Sequence, residues 1–258
     1  MSDGAVHLHI EGAIASVTFD RPEARNAMTW AMYEQLEGIC RQLAEDASVR
    51  VVRFRGAAGQ AFVAGTDIAQ FQDFHAGEDG VAYERRIDAC MALLESLPVP
   101  TVAVLEGWAI GGGLAIATAC DFRIATPGTK LGVPIARTLG NCLSMANTAR
   151  LVAAIGRPRA ERMLLLAELL DAEEARAAGY LLDVVPADRL DAASDQLCAR
   201  LASLAPLTQR VSKAAMNRLL HAGLPDIEDL IRACYGSDDF REGVAAFLAK
   251  RAPAWRGR

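Results

Sequence analysis

The residues best suited to chemistry lie in one glycine-rich step. The segment TVAVLEGWAIGGGLAIATACDFRIAT, residues 101–126, places Gly111, Gly112 and Gly113 between a β-branched run and a short apolar run that favours a helix. Glycine lets the backbone approach a ligand closely, and the first turn of a helix carries unpaired N–H groups and partial positive charge. The step therefore suits a phosphate, a carboxylate or a developing oxyanion. Close packing of a helix on a strand is the competing explanation for such a triplet.

A second loop, AFVAGTDI at residues 61–68, also stands between a strand and a helix. If the two helix starts face one another, the amides of Thr66 and Gly112 can donate to one oxygen and form an oxyanion hole. Preorganised donors of this kind each lower a barrier by about 3 to 4 kcal/mol when charge develops on a carbonyl oxygen. Asp67 could serve as an acid or base, but we favour it as the cap of the following helix. Asp121, beside Arg123, is likewise interpreted as structural.

Composition and charge exclude several classes of function. The 258 residues are 52% hydrophobic and carry a formal charge of -5, without a basic stripe, so neither nucleic acid nor a membrane is expected as a partner. The N-terminus has no basic leader or apolar stretch, which favours a cytoplasmic location. Residues 107–120 form the longest uncharged apolar stretch, shorter than the roughly 18 residues that a membrane span needs. Six scattered cysteines and four histidines predict reduced thiols and no metal site.

The first half of the chain alternates strand and helix. Runs at 5–10 and 13–19 around Glu11-Gly12 predict a hairpin, and Thr29 is placed to cap a helix extending to about residue 46. The remaining elements are strands and helices in alternation. We expect strands at 49–55, 101–105, 121–125 and 130–133, and helices at 68–74 and 81–97. This order predicts an α/β fold whose turns stack on one another.

Helices dominate after Gly140. The pattern predicts helices at 143–155 and 158–166, and Asp171 with Glu174 resembles a capping box for a helix that ends at Gly179. A strand at 181–185 follows. From residue 188 onward the chain is almost wholly helical, and its apolar faces exceed what one core would cover. We therefore divide the chain into a core at 1–187 and a helical oligomerisation region at 188–258.

Five segments together resemble one family. They are RPEARNAMT from residue 21, AFVAGTDI from 61, GWAIGGGLA from 107, ACDFRIAT from 119, and SDDFREGVAAFLAKRAPAW from 237. In this order the chain is similar, nearly end to end, to the enoyl-CoA hydratase/isomerase family, also called the crotonase superfamily. The resemblance implies a crotonase-like spiral of ββα turns with a C-terminal helical module that forms trimers, often paired into hexamers.

The same resemblance implies an acyl-CoA thioester as substrate, so that CoA enters as part of the substrate and no separate cofactor is expected. The enolate oxygen would sit between the amides of Thr66 and Gly112. The residues that would contact CoA or the acyl group are Ala24, Arg25, Asn26, Ala64, Thr66, Asp67, Ile68, Ala69, Gly112 and Lys250. Lys250 would approach CoA phosphates, with a solvated helix-face lysine as the alternative. Phe247 and Trp255 are interpreted first as packing residues.

Two positions depart from the family. Its hydratases use one glutamate three residues after the middle glycine and another after a Gly-x-Pro, where this chain carries Ala115 and Ile135. Hydration needs one group to take a proton from water and another to deliver a proton to carbon, and each contributes about 10²- to 10⁴-fold. Alanine and isoleucine can do neither. The standard hydratase mechanism is therefore in doubt.

Four other side chains are candidates for proton transfer or nucleophilic attack. Glu106 and Asn141 are possible acid–base groups, although Glu106 is favoured as a structural partner and Asn141 and Ser144 as helix caps. Cys142 has no histidine nearby in sequence and is interpreted as a buried thiol. The sequence leaves two functions open. One is a thioester enzyme for which isomerisation, decarboxylation and thioester hydrolysis stand level with hydration, and the other is an acyl-CoA-binding oligomer without catalysis.

Overall fold

A computed structural model describes residues 3–257. The chain begins with the predicted hairpin, in which β1 (Ala5–Glu11) pairs antiparallel with β2 (Ile14–Asp20) around Gly12. Gly12 has a φ of 57°, a left-handed conformation that glycine adopts without strain. Four further strands add to the hairpin in parallel, in the order β1-β2-β3-β4-β6-β9. They are β3 (Val51–Gly56), β4 (Thr101–Leu105), β6 (Phe122–Ala125) and β9 (Asp183–Val184).

A second, smaller sheet forms where the chain turns away from the first. It contains β5 (Trp108–Ile110), β7 (Lys130–Gly132) and β8 (Leu169–Asp171), in the order β5-β7-β8. The strand β4 is buried along its whole length, as a continuous β-branched run predicts for a parallel sheet covered on both faces. The alternation of strands and helices confirms the predicted α/β class.

The helices of the first half follow the predicted order with shifted boundaries. They are α1 (Trp30–Glu45), α2 (Gly77–Glu95) and α3 (Gly112–Ala119). The Thr29 hydroxyl caps α1 by accepting from the Met32 amide at 3.2 Å. The helix predicted at 68–74 is instead a 3-10 turn, Ile68–Phe71. Helix α2 begins four residues earlier than predicted, because the Asp79 carboxylate accepts from the amides of His75 and Ala76.

Helices of the second half surround the glycine-rich step and the small sheet. They are α4 (Ile135–Thr138), α5 (Met145–Ile155), α6 (Arg157–Leu165) and α7 (Ala172–Ala177). Ser144 and Asp171 cap α5 and α7 through side-chain oxygens that accept from Asn147 and Glu174 amides. Both predicted caps are therefore confirmed. The strand predicted at 181–185 is reduced to the two residues of β9.

The last four helices pack on several parts of the core rather than only on one another. They are α8 (Leu190–Ala202), α9 (Pro206–Leu220), α10 (Glu228–Tyr235) and α11 (Asp238–Leu248). Helix α8 covers the sheet by packing Leu190, Cys198 and Leu201 against valines of β3 and β4. Phe247 and Trp255, predicted to be packing residues, are instead exposed within the single chain. The division at residue 187 stays a prediction.

Within residues 3–257, no helix reaches both the length and the apolar character of a membrane span.

Candidate active site

Three loops are joined by backbone hydrogen bonds at the carboxyl end of the sheet. The amide of Ala64 donates to Arg25 at 3.1 Å, and that of Met28 donates to Gly65 at 2.8 Å. On the other side of the same loop, Val63 exchanges hydrogen bonds with β5, donating to Trp108 and accepting from Ile110. The loop at 63–67 is therefore tied to the segment at 24–28 and to the strand that leads into the glycine step. These bonds hold Thr66 next to the start of α3, as the hypothesis of two facing helix starts requires.

The glycine step has two separate physical requirements. Gly111 has a φ of 52° and a ψ of -117°, a backbone conformation that a side chain would strain. A Cβ on Gly113 would overlap the carbonyl oxygen of Val63, so the start of α3 must pass the neighbouring loop without a side chain. Close packing, the competing explanation for the triplet, thus applies to Gly113. It does not exclude a site, because the same closeness brings the start of α3 to Thr66.

Thr66 and Gly112 lie together, as the oxyanion-hole hypothesis requires. A Cβ added to Gly112 would lie 3.8 Å from the Thr66 amide nitrogen and 3.2 Å from its hydroxyl oxygen. Gly112 is the first residue of α3, so its amide has no partner inside the helix. Within residues 3–257, neither amide donates to a protein acceptor. Two unbonded amide donors close together, one of them at the start of α3, can stabilise an anionic oxygen.

The polar residues around Thr66 and Gly112 are mostly structural. Asp67 caps the 3-10 turn by accepting from the Ala69 amide at 3.1 Å, and its other oxygen pairs with Arg21 at 2.8 Å. The buried Asn26 amide ties the loops together, donating to Ala57 and Ala61 carbonyls. Asp121 accepts from Thr101 and from the Lys213 ammonium at 2.8 Å. The structural interpretation of Asp67 and Asp121 is thereby supported by specific bonds.

The two positions that lack glutamate have different surroundings. Ala115 is half-buried one turn into α3 and lines a cavity of about 20 Å³ together with Gly111, Val133, Asn147 and Arg150. The Arg150 guanidinium is buried, pairs with Glu95 at 3.0 Å and donates to Asn147. Ile135 is half-buried at the start of α4 and packs against the main core. No carboxylate occupies either position.

The remaining acid–base and nucleophile candidates have identifiable partners. Glu106 lies 3.8 Å from the Arg55 guanidinium, in agreement with its structural interpretation. The Asn141 side-chain amide donates to the Tyr235 hydroxyl at 3.1 Å, while its buried oxygen has no partner within residues 3–257. Its predicted capping role is wrong, because Ser144 alone caps α5. The Cys142 thiol donates a hydrogen bond to the sulfur of Cys234, and this bond together with burial raises the pKa of Cys142, which disfavours a nucleophilic thiolate.

The residues expected to contact CoA are divided between the joined loops and the end of α11. Ala24, Arg25, Asn26, Ala64, Ile68 and Ala69 belong to the loops around the hole. The Arg25 guanidinium lies over the Trp108 ring, 5.9 Å from its centroid. Lys250 is exposed just after α11, in a left-handed conformation, so it is not on a helix face. Among residues 3–257, its ammonium group has no hydrogen-bond or ion-pair partner.

Three polar groups close to Thr66 and Gly112 have no recognisable signature in the sequence. The Tyr33 and Tyr83 hydroxyls both bond to the Thr66 hydroxyl, at 2.9 and 3.1 Å. Glu84 is 3% exposed and accepts from the Tyr235 hydroxyl at 2.6 Å and from the Ser144 amide at 2.9 Å. Burial raises the pKa of Glu84 to about 8. The sequence indicates them only by a polar group on an otherwise apolar helix face, a pattern found in both α1 and α2.

The architecture is that of an α/β protein with the crotonase fold, in which Thr66 lies close to the glycine that begins α3. A family model described as enoyl-CoA hydratase/isomerase matches residues 9–258. The chain therefore belongs to the enoyl-CoA hydratase/isomerase family, and the predicted resemblance is confirmed.

Individual relatives match over nearly the whole chain. A probable enoyl-CoA hydratase of Mycobacterium tuberculosis is 30% identical over 95% of both chains. A crystal structure of an enoyl-CoA hydratase/carnithine racemase from Magnetospirillum magneticum is 33% identical, covers 98% of this chain and 96% of its own, and has a TM-score of 0.80. A methylmalonyl-CoA decarboxylase, 24% identical with 98% of both chains covered and a TM-score of 0.90, shows the same fold.

Proposed function

We propose that this chain is an acyl-CoA thioester enzyme that stabilises negative charge on the thioester oxygen between the amides of Thr66 and Gly112. Isomerisation, decarboxylation or thioester hydrolysis is favoured over hydration. The observation that carries the proposal is the pair of unbonded amides beside Ala115, a position without a carboxylate. Such a site keeps the electrostatic part of catalysis and lacks the usual proton-transfer part.

Recognition of CoA is proposed to use the joined loops at 24–26 and 64–69 along the adenine and pantetheine parts of the molecule. Lys250, exposed and without an ion-pair partner within residues 3–257, is free to approach a CoA phosphate, including that of a neighbouring subunit. An ammonium group acts on phosphate mainly as a point charge, so its contribution is expected to fall as ionic strength rises.

Binding of CoA thioesters tests the proposed substrate class. We expect calorimetry to show binding of acetyl-CoA and no appreciable binding of acetate. The proposed loops contact CoA and the two amides bind the thioester oxygen, and acetate offers neither group. Turnover is then measured with malonyl-CoA, 3-hexenoyl-CoA, crotonyl-CoA and acetyl-CoA, which represent decarboxylation, isomerisation, hydration and hydrolysis. Binding without turnover of any ester would favour the alternative of a non-catalytic acyl-CoA-binding oligomer. Equal affinity for acetate and acetyl-CoA would contradict the proposed substrate class.

A homotrimer or hexamer is proposed from the exposed apolar side chains of the C-terminal helices. Helix α9 buries only Lys213 among its 15 residues. Its Leu207, Val211, Met216 and Leu219 are each more than half exposed in the single chain. Surface of this kind marks an interaction site, and closed symmetric assemblies of one chain are the commonest way to cover it.

The assembly state is a direct prediction. Light scattering at micromolar concentration should give three or six times the chain mass of 27.5 kDa. Val211→Asp should lower that mass by placing a charge on the apolar face of α9, whereas Arg210→Asp, next to it and exposed, serves as the control for charge alone. A stable wild-type monomer would contradict the prediction.

A further inference from the structure

Three hydroxyl groups meet beside the two amides, and we call them the hydroxyl cluster. The Thr66 hydroxyl oxygen lies 2.9 Å from the Tyr33 hydroxyl and 3.1 Å from the Tyr83 hydroxyl. Thr66 also provides one of the two amides of the hole. A Cβ on Gly112, which provides the other amide, would lie 2.5 Å from the Tyr33 hydroxyl. The cluster therefore lies against both halves of the hole.

The hydroxyl cluster has more donor hydrogens than hydrogen bonds. Three hydroxyls carry three hydrogens, but only two hydrogen bonds join them, and no other acceptor lies within reach in residues 3–257. Tyr33 is fully buried and its hydroxyl has only the Thr66 hydroxyl as a hydrogen-bond partner, so donation to Thr66 is the arrangement that satisfies its hydrogen. Thr66 is 8% exposed, and Tyr83 is half-buried and the most open of the three. When Tyr33 donates to Thr66 and Thr66 donates to Tyr83, the Tyr83 hydrogen is left without a protein acceptor in residues 3–257 and can reach a ligand.

Tyr83 is firmly positioned for such a role. Its ring packs edge-on against Phe71, with centroids 5.0 Å apart, and lies 5.6 Å from the Trp30 ring and 6.0 Å from the Tyr235 ring. Burial also raises the pKa of Tyr83 well above its usual value, so the hydroxyl stays protonated and acts as a donor. A donor is what the site lacks, since positions 115 and 135 carry no acid.

We propose that Tyr83 is a catalytic residue that gives its hydroxyl proton to the carbon of the thioester enolate held between the Thr66 and Gly112 amides. The enolate electron pair forms the new C–H bond, the O–H bond of Tyr83 breaks, and its electron pair stays on the phenolate oxygen. The Thr66 hydroxyl, polarised by Tyr33, donates to that oxygen until solvent water returns a proton. Thr66 and Tyr33 are thus positioning residues for this step. The inference rests on the proposed thioester chemistry at the same site.

The test is the steady-state rate on whichever of the four CoA esters the wild-type protein converts. Tyr83→Phe removes the hydroxyl and keeps the packed ring. We expect it to lower kcat by about 10²-fold or more while KM changes by less than about threefold, because the lost interaction acts on the transition state and not on CoA binding.

A matched control and a second pair of variants separate the proton role from structure. Tyr180 is buried, and its hydroxyl bonds to the Thr118 hydroxyl at 2.9 Å, so Tyr180→Phe makes the same chemical change outside the hydroxyl cluster. It should leave kcat within about twofold of wild type. Thr66→Val breaks the chain of hydroxyls without touching Tyr83 and should lower kcat, whereas Thr66→Ser, which keeps a hydroxyl, should restore most of it. This pair also carries the test if Tyr83→Phe folds poorly.

The outcomes distinguish this proposal from the proposed function. Wild-type turnover that is lost in Tyr83→Phe, with acetyl-CoA binding unchanged by calorimetry, supports both. Wild-type turnover that Tyr83→Phe and Thr66→Val leave intact overturns the role of Tyr83 and leaves the thioester function standing. Binding of acetyl-CoA without turnover of any ester by the wild-type protein overturns the catalytic function, and the role of Tyr83 with it.

Discussion

Crotonyl-CoA hydration by this chain should be about 10⁴-fold or more slower than hydration by a family member with both glutamates. Each missing proton-transfer group contributes about 10²- to 10⁴-fold, although catalytic groups rarely act additively. Two amide donors cannot replace them, because the hole stabilises the enolate but takes no proton from water. Spectrophotometric loss of the conjugated thioester is the measurement, with a two-glutamate hydratase assayed in parallel.

Restoring the carboxylates tests the same idea in reverse. Ala115→Glu combined with Ile135→Glu should raise hydration, and each single change should do little. Position 115 faces a cavity that also contains the Arg150 guanidinium, which favours an ionised carboxylate there. Ile135 is half-buried and packs on the core, so thermal unfolding must be compared before rates are interpreted.

The matched control for the restored variant is Ala115→Gln with Ile135→Gln, which has the same size and polarity but cannot carry a proton. It should hydrate no faster than the wild-type chain. Brisk hydration by the unmodified protein would show that our interpretation of positions 115 and 135 is wrong. In that case Glu106, Asn141 or another group near the hole moves the protons, and single substitutions there should reduce hydration without abolishing CoA binding.

Glu84→Gln should flatten the dependence of stability on pH between about 5 and 8. Burial raises the pKa of Glu84 from 4.5 to about 8, so the folded chain keeps a proton that the unfolded chain releases. The contribution of Glu84 to the free energy of unfolding is therefore fully present below the pKa of the unfolded state. It falls as pH rises toward 8, by up to about 1.4 kcal/mol per pH unit. Above pH 8 both states are ionised and the loss levels off.

Urea unfolding at several pH values measures this slope. The wild-type chain should lose stability between pH 5 and 8 more steeply than Glu84→Gln, with Glu11→Gln, a change at an exposed carboxylate, behaving like wild type. A pH-independent difference in the free energy of unfolding between the two variants does not test the prediction. The glutamine side chain must still form hydrogen bonds with the Tyr235 hydroxyl and the Ser144 amide, which changes stability at every pH. Parallel slopes for wild type and Glu84→Gln would show that Glu84 is ionised in the folded protein across this range.

Local patterns were sufficient for much of the fold. Thr29 and Asp171 cap helices through bonds that span three residues, and the hairpin around Gly12 depends on one turn and two alternating runs. Interactions this short are determined by the neighbouring sequence, so they were predicted. The earlier start of α2, at Gly77, has a similarly local cause, because the Asp79 carboxylate accepts hydrogen bonds from the amides of His75 and Ala76.

For the candidate site, too, some features depend on the local sequence and others on the tertiary structure. The sequence by itself determined the glycine step, the second loop and the absence of carboxylates at Ala115 and Ile135, because each depends on residue type and spacing. Only the tertiary structure decided which side chains surround the hole. Tyr33 and Tyr83 are 33 and 17 residues from Thr66, and Tyr235 is 151 residues from Glu84. Contacts across such separations exist only after the sheet has formed and the helices have packed on it, so no local pattern encodes them.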